Sequence, residues 1–108
     1  MSINREAGFG GRVLELLLAG TTTKTQRTYI SSIRAFGKWI GWSGDERIIE
    51  RLIHCDYGEA NGMISAWRQH MLERGLAERS VALHVSVLRN VARAARQLGY
   101  IEWVVEAG

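Results

Sequence analysis

Three adjacent residues with metal-binding side chains, His54, Cys55 and Asp56, are the first candidates for chemistry in this sequence. A metal ion needs ligands that converge on it, and neighbouring side chains at the end of a helix point apart. No second pair of ligands accompanies them, and the other histidines, His70 and His84, lie in separate segments. We therefore expect no metal site, and we expect Cys55 to be a small, half-buried hydrophobic residue.

The segment Gly8-Phe9-Gly10-Gly11 is a second candidate, because glycine-rich loops can cradle phosphate groups. Such a loop follows a strand and has a wider glycine spacing, and this segment lacks both features. The sequence also shows no nucleophile paired with an activating base. We therefore predict a protein that is not an enzyme and that needs no cofactor.

Basic residues cluster in two segments that contain no acidic residue, although the net charge is only +3. The first cluster comprises Lys24, Arg27, Arg34 and Lys38, and the second comprises Arg79, Arg89, Arg93 and Arg96. Segregation of this kind creates a local positive field that attracts polyanions. The alternative interpretation is two solvated helix faces on which basic residues cluster by chance.

Helices are the elements that must position these charges. The 108 residues are 46% hydrophobic, which suits one domain with a single core. The absence of proline argues against a sheet protein with many tight turns, and no segment alternates as a strand would. Apolar residues instead recur at spacings of three and four, as in Tyr29, Ile33, Phe36 and Ile40. The sequence therefore predicts an all-α bundle of four to five helices.

Capping residues and glycines predict where these helices begin and end. Thr23, Ser43 and Asp56 are each followed three residues later by Gln or Glu, so each is a predicted N-cap of a capping box. The helices would cover about residues 12–19, 24–40, 44–53, 57–74 and 78–98.

The domain limits follow from the same patterns. Residues 1–11 are predicted to be a flexible lead-in, and residues 12–108 form the helical domain. A single cysteine allows no internal disulfide, the first residues lack the order of a signal peptide, and no apolar run is long enough to span a membrane. We therefore expect a cytoplasmic protein without a membrane partner.

Several short motifs together resemble the N-terminal core-binding domain of tyrosine recombinases (phage-type integrases), a SAM-like bundle of four to five helices. They are, in order, Thr25-x-x-x-Tyr29, Met71-Leu72-Glu73-Arg74-Gly75-Leu76, Ser80-Val81, Val85-Ser86-Val87-Leu88-Arg89 and Leu98-Gly99-Tyr100-Ile101. The resemblance covers residues 14–105. It implies a domain that forms half of a C-shaped clamp around duplex DNA during site-specific recombination and integration.

The resemblance also implies partners. The catalytic domain of the family, in the same or a longer protein, would close the clamp from the opposite side of the DNA, and the chains would associate on the DNA. The Arg, Lys, His-x-x-Arg and nucleophilic Tyr motifs of that catalytic domain do not occur in this sequence. We therefore expect a separate domain, a truncated gene product or a stand-alone binder that does not cut DNA.

Mapped onto this chain, the resemblance makes the helix from Thr25 and the helix from Arg79 the DNA-facing pair. The predicted DNA-binding residues are Lys24, Thr25, Arg27, Arg34, Arg79, Ser80, His84, Arg89 and Arg93. Most of them would neutralise phosphates, while Arg79, Ser80 and His84 could reach base edges or nearby phosphates. Helix N-termini also favour phosphate.

Some positions depart from the family pattern, and other interpretations stay open. Ala77 replaces the usual Ser or Thr cap, and Ala82-Leu83-His84 replaces a more polar stretch. Arg89 could brace an acid such as Glu59 rather than contact DNA.

The main alternative function is a helical protein-interaction domain that uses its apolar C-terminal tail, residues 100–105, for docking. A helix-turn-helix regulator fits less well, since the last helix is too long for a recognition helix.

Overall fold

The computed structural model describes residues 8–106, and this part of the chain contains five helices and no strand. The helices are α1 (Phe9–Leu18), α2 (Thr23–Ile40), α3 (Asp45–Ile53), α4 (Tyr57–Glu73) and α5 (Glu78–Gln97). The all-α prediction is confirmed. None of these helices combines the length and the apolar character that crossing a bilayer requires.

The last helix, α5, lies at the centre of the bundle and packs against each of the other four helices. The apolar residues that the spacing of three and four places on one face of α5 are all buried, namely Val81, Val85, Leu88, Ala92 and Ala95. The structure adds Val87, Val91 and Ala94 to this face. A helix that has neighbours on several sides buries a wider stripe than a helix on a flat surface does. The sequence-based stripe was therefore correct but too narrow.

Helix α1 begins at Phe9, three residues earlier than the sequence predicts, while residues 1–7 of the predicted lead-in lie outside the described residues. Gly10 is buried against α3, and its N–H donates to the Glu50 carboxylate over 3.1 Å. A side chain at Gly10 would collide with the backbone carbonyl of Glu46. The glycine-rich segment thus lets two helices approach closely, which is a structural role for these residues.

The predicted helix caps have different outcomes. Asp56 is the N-cap of α4, and Glu59 completes the capping box, as predicted. The cap of α2 is Thr22 rather than Thr23, and the Thr22 hydroxyl accepts from the Thr25 N–H. The prediction for Ser43 is wrong, because the N-cap of α3 is Gly44, whose positive φ of 88° suits glycine, and no side chain caps the helix.

The C-terminal tail packs back on the bundle. Val105 is buried, and the Trp103 indole donates to the Cys55 carbonyl over 2.9 Å. The Arg96 guanidinium holds the Trp103 carbonyl at 3.1 Å, so its role here is to anchor the tail. The Asn61 side chain donates to the carbonyl of Val104 and accepts from the N–H of Glu106. The tail is therefore part of the folded domain.

Candidate nucleic-acid interface

Helix α2 separates its apolar and basic residues onto different faces. Ile33 and Phe36 are fully buried, as predicted, and Tyr29 and Ile40 are half-buried beside them. The basic residues Lys24, Arg27, Arg34 and Lys38 are all exposed. Their spacing of three, seven and four residues keeps them on the solvent side of the helix. Helix α2 therefore presents a continuous basic stripe without a single acidic side chain.

A shallow groove of about 490 Å³ runs beside this stripe. Arg27 and Arg34 contribute its two charges, and the other lining residues are Leu18, Thr23, Gln26, Ile30 and Ser31. Thr23 and Gln26 were not among the predicted site residues, although their helical spacing from Arg27 and Ile30 could have indicated them. The groove offers the Thr23 and Ser31 hydroxyls next to two guanidinium groups, which is a suitable environment for a phosphate. The Gln26 amide instead donates to the carbonyls of Leu18 and Thr21.

Helix α5 exposes Arg79 and Ser80 in its first turn and Arg93 about one turn before its end. Its N-cap is Ala77, which provides no side-chain hydrogen bond, so no side chain occupies the first-turn N–H groups. An uncapped helix N-terminus attracts anions through these groups and through the helix dipole. Glu78, an acidic residue, shares this first turn.

Helices α2 and α5 pack directly against each other, which brings the two acid-free segments together. The Ser32 hydroxyl lies 2.8 Å from Nδ1 of His84, and the Asn90 amide donates to the Tyr29 hydroxyl over 3.4 Å. The two contacts show that the helices run antiparallel, with the N-terminal part of α5 beside the middle of α2. The two contacts thereby fix side chains that are separated in sequence by 52 and 61 positions, respectively.

His84 is placed differently from a freely exposed DNA contact. Its ring is half-buried and lies 5.5 Å from the ring of Trp67, in addition to its contact with Ser32. Burial lowers the pKa of His84, because desolvation disfavours the charged imidazolium. His84 therefore contributes to the packing of α2, α4 and α5, and its charge is suppressed at neutral pH.

Arg34 forms an ion pair with Asp45, the first residue of α3. Arg34 Nε lies 2.8 Å from Oδ1 of Asp45, and Nη2 lies 3.0 Å from Oδ2, which is a bidentate arrangement. Both the hydrogen bonds and the charge of Asp45 raise the pKa of Arg34. Arg34 is thus the member of the α2 stripe whose charge is balanced within the protein.

The remaining predicted residues lie in two different settings. The Thr25 N–H is already used by the cap of α2, so it is not available to a phosphate. Arg89 is half-buried in a groove between α4 and α5 that Arg68, Leu72 and Glu78 also line. Glu59, the acid that could brace Arg89, accepts from the Asp56 N–H in the capping box through Oε1.

The residues with metal-binding side chains have ordinary structural partners. His54 Nδ1 lies 2.8 Å from the Glu50 carbonyl, and its ring packs edge-on against Phe9. The Cys55 thiol donates to the Arg51 carbonyl, and desolvation, followed by Glu59 and Asp56, raises its pKa. Within residues 8–106, no three His, Cys, Asp or Glu side chains are grouped to hold a metal ion.

Comparisons with known proteins give one informative match. A curated protein named a tyrosine recombinase, from Synechococcus elongatus, is 28% identical to this chain over 98 residues. The match covers 87% of this chain, and the chain spans about 30% of the length of that relative. No family model and no solved structure matches the chain. The chain is therefore similar to a fragment of a tyrosine recombinase.

Proposed function

We propose that this chain is the DNA-binding, core-binding-type domain of a tyrosine recombinase. The observation that carries the proposal is that two helices without acidic residues between positions 24 and 40 and between 79 and 97 pack against each other and expose six of their eight basic side chains. The match to a fragment of a named recombinase supports the same assignment. The motifs that resemble the core-binding domain support a non-catalytic fragment.

In this proposal, the basic stripe of α2 and the start of α5 bind the phosphates of duplex DNA. Lys24, Arg27 and Arg93 neutralise phosphates and set the orientation of the domain on the duplex. Arg79 and Ser80 lie at an uncapped helix start, where a phosphate or a base edge can approach. Arg89 and His84 support the interface from half-buried positions.

Catalysis belongs to a different part of the recombinase in this proposal. The domain supplies affinity and register, and a catalytic domain of the same or a longer protein supplies the transesterification. Several copies would associate on one recombination site. The apolar tail does not favour the alternative of protein docking, because all of its apolar side chains except Val104 pack on the bundle and its backbone is held by Asn61.

The test compares Arg27→Gln/Arg93→Gln with the control Arg12→Gln/Arg47→Gln, which removes the same charge outside the two acid-free segments. Arg27 and Arg93 are preferred to Arg89, since replacing a half-buried residue would mix packing with charge. Duplex affinity is measured by fluorescence anisotropy between about 50 and 200 mM salt. Removing two phosphate contacts should reduce the slope of log affinity against log salt concentration, here called the salt slope, by about 1.8. It should reduce the affinity at 0.1 M salt by roughly 50-fold.

Nuclear magnetic resonance gives an independent readout of the same interface. Titration with a generic duplex at low salt should shift the amide signals of residues 24–38 and 79–93, and added salt should reverse the shifts. The proposal is wrong if the control variant loses as much affinity as Arg27→Gln/Arg93→Gln. Shifts confined to residues 100–105 would instead support the protein-interaction function.

A further inference from the structure

We propose that Asp45 is an intramolecular competitor of DNA phosphate for the guanidinium group of Arg34, and that it limits the affinity of this domain for DNA in general. This inference rests on the proposed function. It concerns an acidic residue outside the predicted interface, and it gives that residue a role in setting how selectively the interface binds.

In the ion pair, the Arg34 guanidinium binds the carboxylate in the same way that a guanidinium binds a phosphate. Two parallel N–H donors of Arg34 meet the two carboxylate oxygens of Asp45 at 2.8 and 3.0 Å. A guanidinium group binds two oxygens of a phosphate through the same fork. Asp45 thus occupies the Nε–Nη2 edge of Arg34, and Arg34 also lines the groove beside Arg27 and Ser31.

The two partners differ in exposure in a way that favours exchange. The side chain of Arg34 is 67% exposed, whereas that of Asp45 is 22% exposed. Asp45 is fixed at the start of α3, which the buried Ile48 and Ile49 anchor in the core. Arg34 is therefore the mobile partner and can turn toward DNA while Asp45 stays in place. An ion pair this exposed is weak, so a well-placed phosphate can replace the carboxylate.

This exchange has a consequence for selectivity. While the pair is closed, Arg34 adds no net charge to the α2 stripe, and a loosely bound duplex gains little from it. A duplex that Arg27 and its neighbours hold in register presents a phosphate to the guanidinium N–H groups of Arg34. Its binding is strengthened by the additional contact with Arg34. Asp45 therefore lowers the affinity for poorly aligned DNA more than the affinity for well-aligned DNA.

The experiment measures the binding of the full 108-residue chain to a random-sequence duplex by fluorescence anisotropy. Asp45→Asn keeps the shape of the side chain and removes its charge, which releases one phosphate contact. We expect affinity at 0.1 M salt to rise about three- to fivefold, because an exposed ion pair is weak. The slope of log affinity against log salt concentration should steepen by up to about 0.9. Glu46→Gln is the matched control, since it removes a neighbouring exposed acid that has no ion pair with Arg34. It should change the affinity less than about twofold.

A double-mutant cycle separates a local exchange from a general charge effect. In the Arg34→Gln background, Asp45→Asn should change the affinity less than about twofold, because the guanidinium group for which Asp45 competes is absent. Equal effects in both backgrounds, or an equal effect of Glu46→Gln, would overturn the inference. So would unchanged or weaker binding by Asp45→Asn. If the wild-type chain binds duplex with a salt-dependent affinity and Asp45→Asn changes nothing, only this inference fails; if neither binds, the proposed function fails as well.

Discussion

Replacing Gly37 by alanine tests whether helix α2 is held as closely to α3 as the structure shows. Gly37 is buried near the end of α2, where the chain turns toward α3. Its carbonyl accepts hydrogen bonds from the N–H groups of Gly41 and Trp42 at 2.8 and 2.7 Å. A Cβ atom at position 37 would lie 2.7 Å from the Trp42 carbonyl oxygen and 2.9 Å from Cγ1 of Ile48, and it would overlap Cδ1 of Ile48.

The expected magnitude follows from these distances. The end of the Ile48 side chain can rotate away, but the Trp42 carbonyl cannot move unless the turn between α2 and α3 shifts. Overpacking of this kind costs about 1–3 kcal/mol. Alanine recovers about 1 kcal/mol over glycine in a helix. The net loss in the free energy of unfolding should therefore be about 0–2 kcal/mol, which lowers Tm by up to roughly 15 °C in a domain of this size.

Gly62→Ala is the matched control, since Gly62 is an exposed position within α4 where an added Cβ meets no atom within 4 Å. It should raise the free energy of unfolding by about 0.5–1 kcal/mol. Urea and thermal denaturation followed by circular dichroism measure both variants. If Gly37→Ala stabilises the domain as Gly62→Ala does, the close approach of α2 and α3 is not present in solution and the reasoning is refuted.

Two further predictions concern the packing of α5 and of the tail. The lowered pKa of His84 means that the unfolded chain binds a proton more readily than the folded chain, so the stabilisation is complete above about pH 6.5 and decreases below it. Thermal melts between about pH 5 and 7 should show a steeper loss of Tm for the wild type than for His84→Gln, and parallel profiles would contradict this. Asn61→Ala removes two hydrogen bonds to the tail and should cost about 1–2 kcal/mol. Hydrogen exchange should then lose protection at the Glu106 amide, whereas Asn61→Asp, which retains the acceptor, should preserve it.

The sequence by itself determined the helices and most of their buried faces. A spacing of three and four residues predicts which side of a helix is apolar, and Ile33, Phe36, Val85 and Leu88 are buried as that rule requires. The Asp56 capping box was also predictable, because both of its hydrogen bonds join residues within one helical turn. The basic stripe of α2 follows from the same local periodicity.

Only the tertiary structure decided how these faces combine. The ion pair of Arg34 with Asp45 and the contact of Ser32 with His84 join residues on different helices, and no local pattern specifies that pairing. The early start of α1 has a similar cause, since Gly10 is helical where it packs against Glu46 and Glu50 of α3. Local propensity governs single turns, whereas the position of a side chain in the bundle depends on how all five helices fill one core.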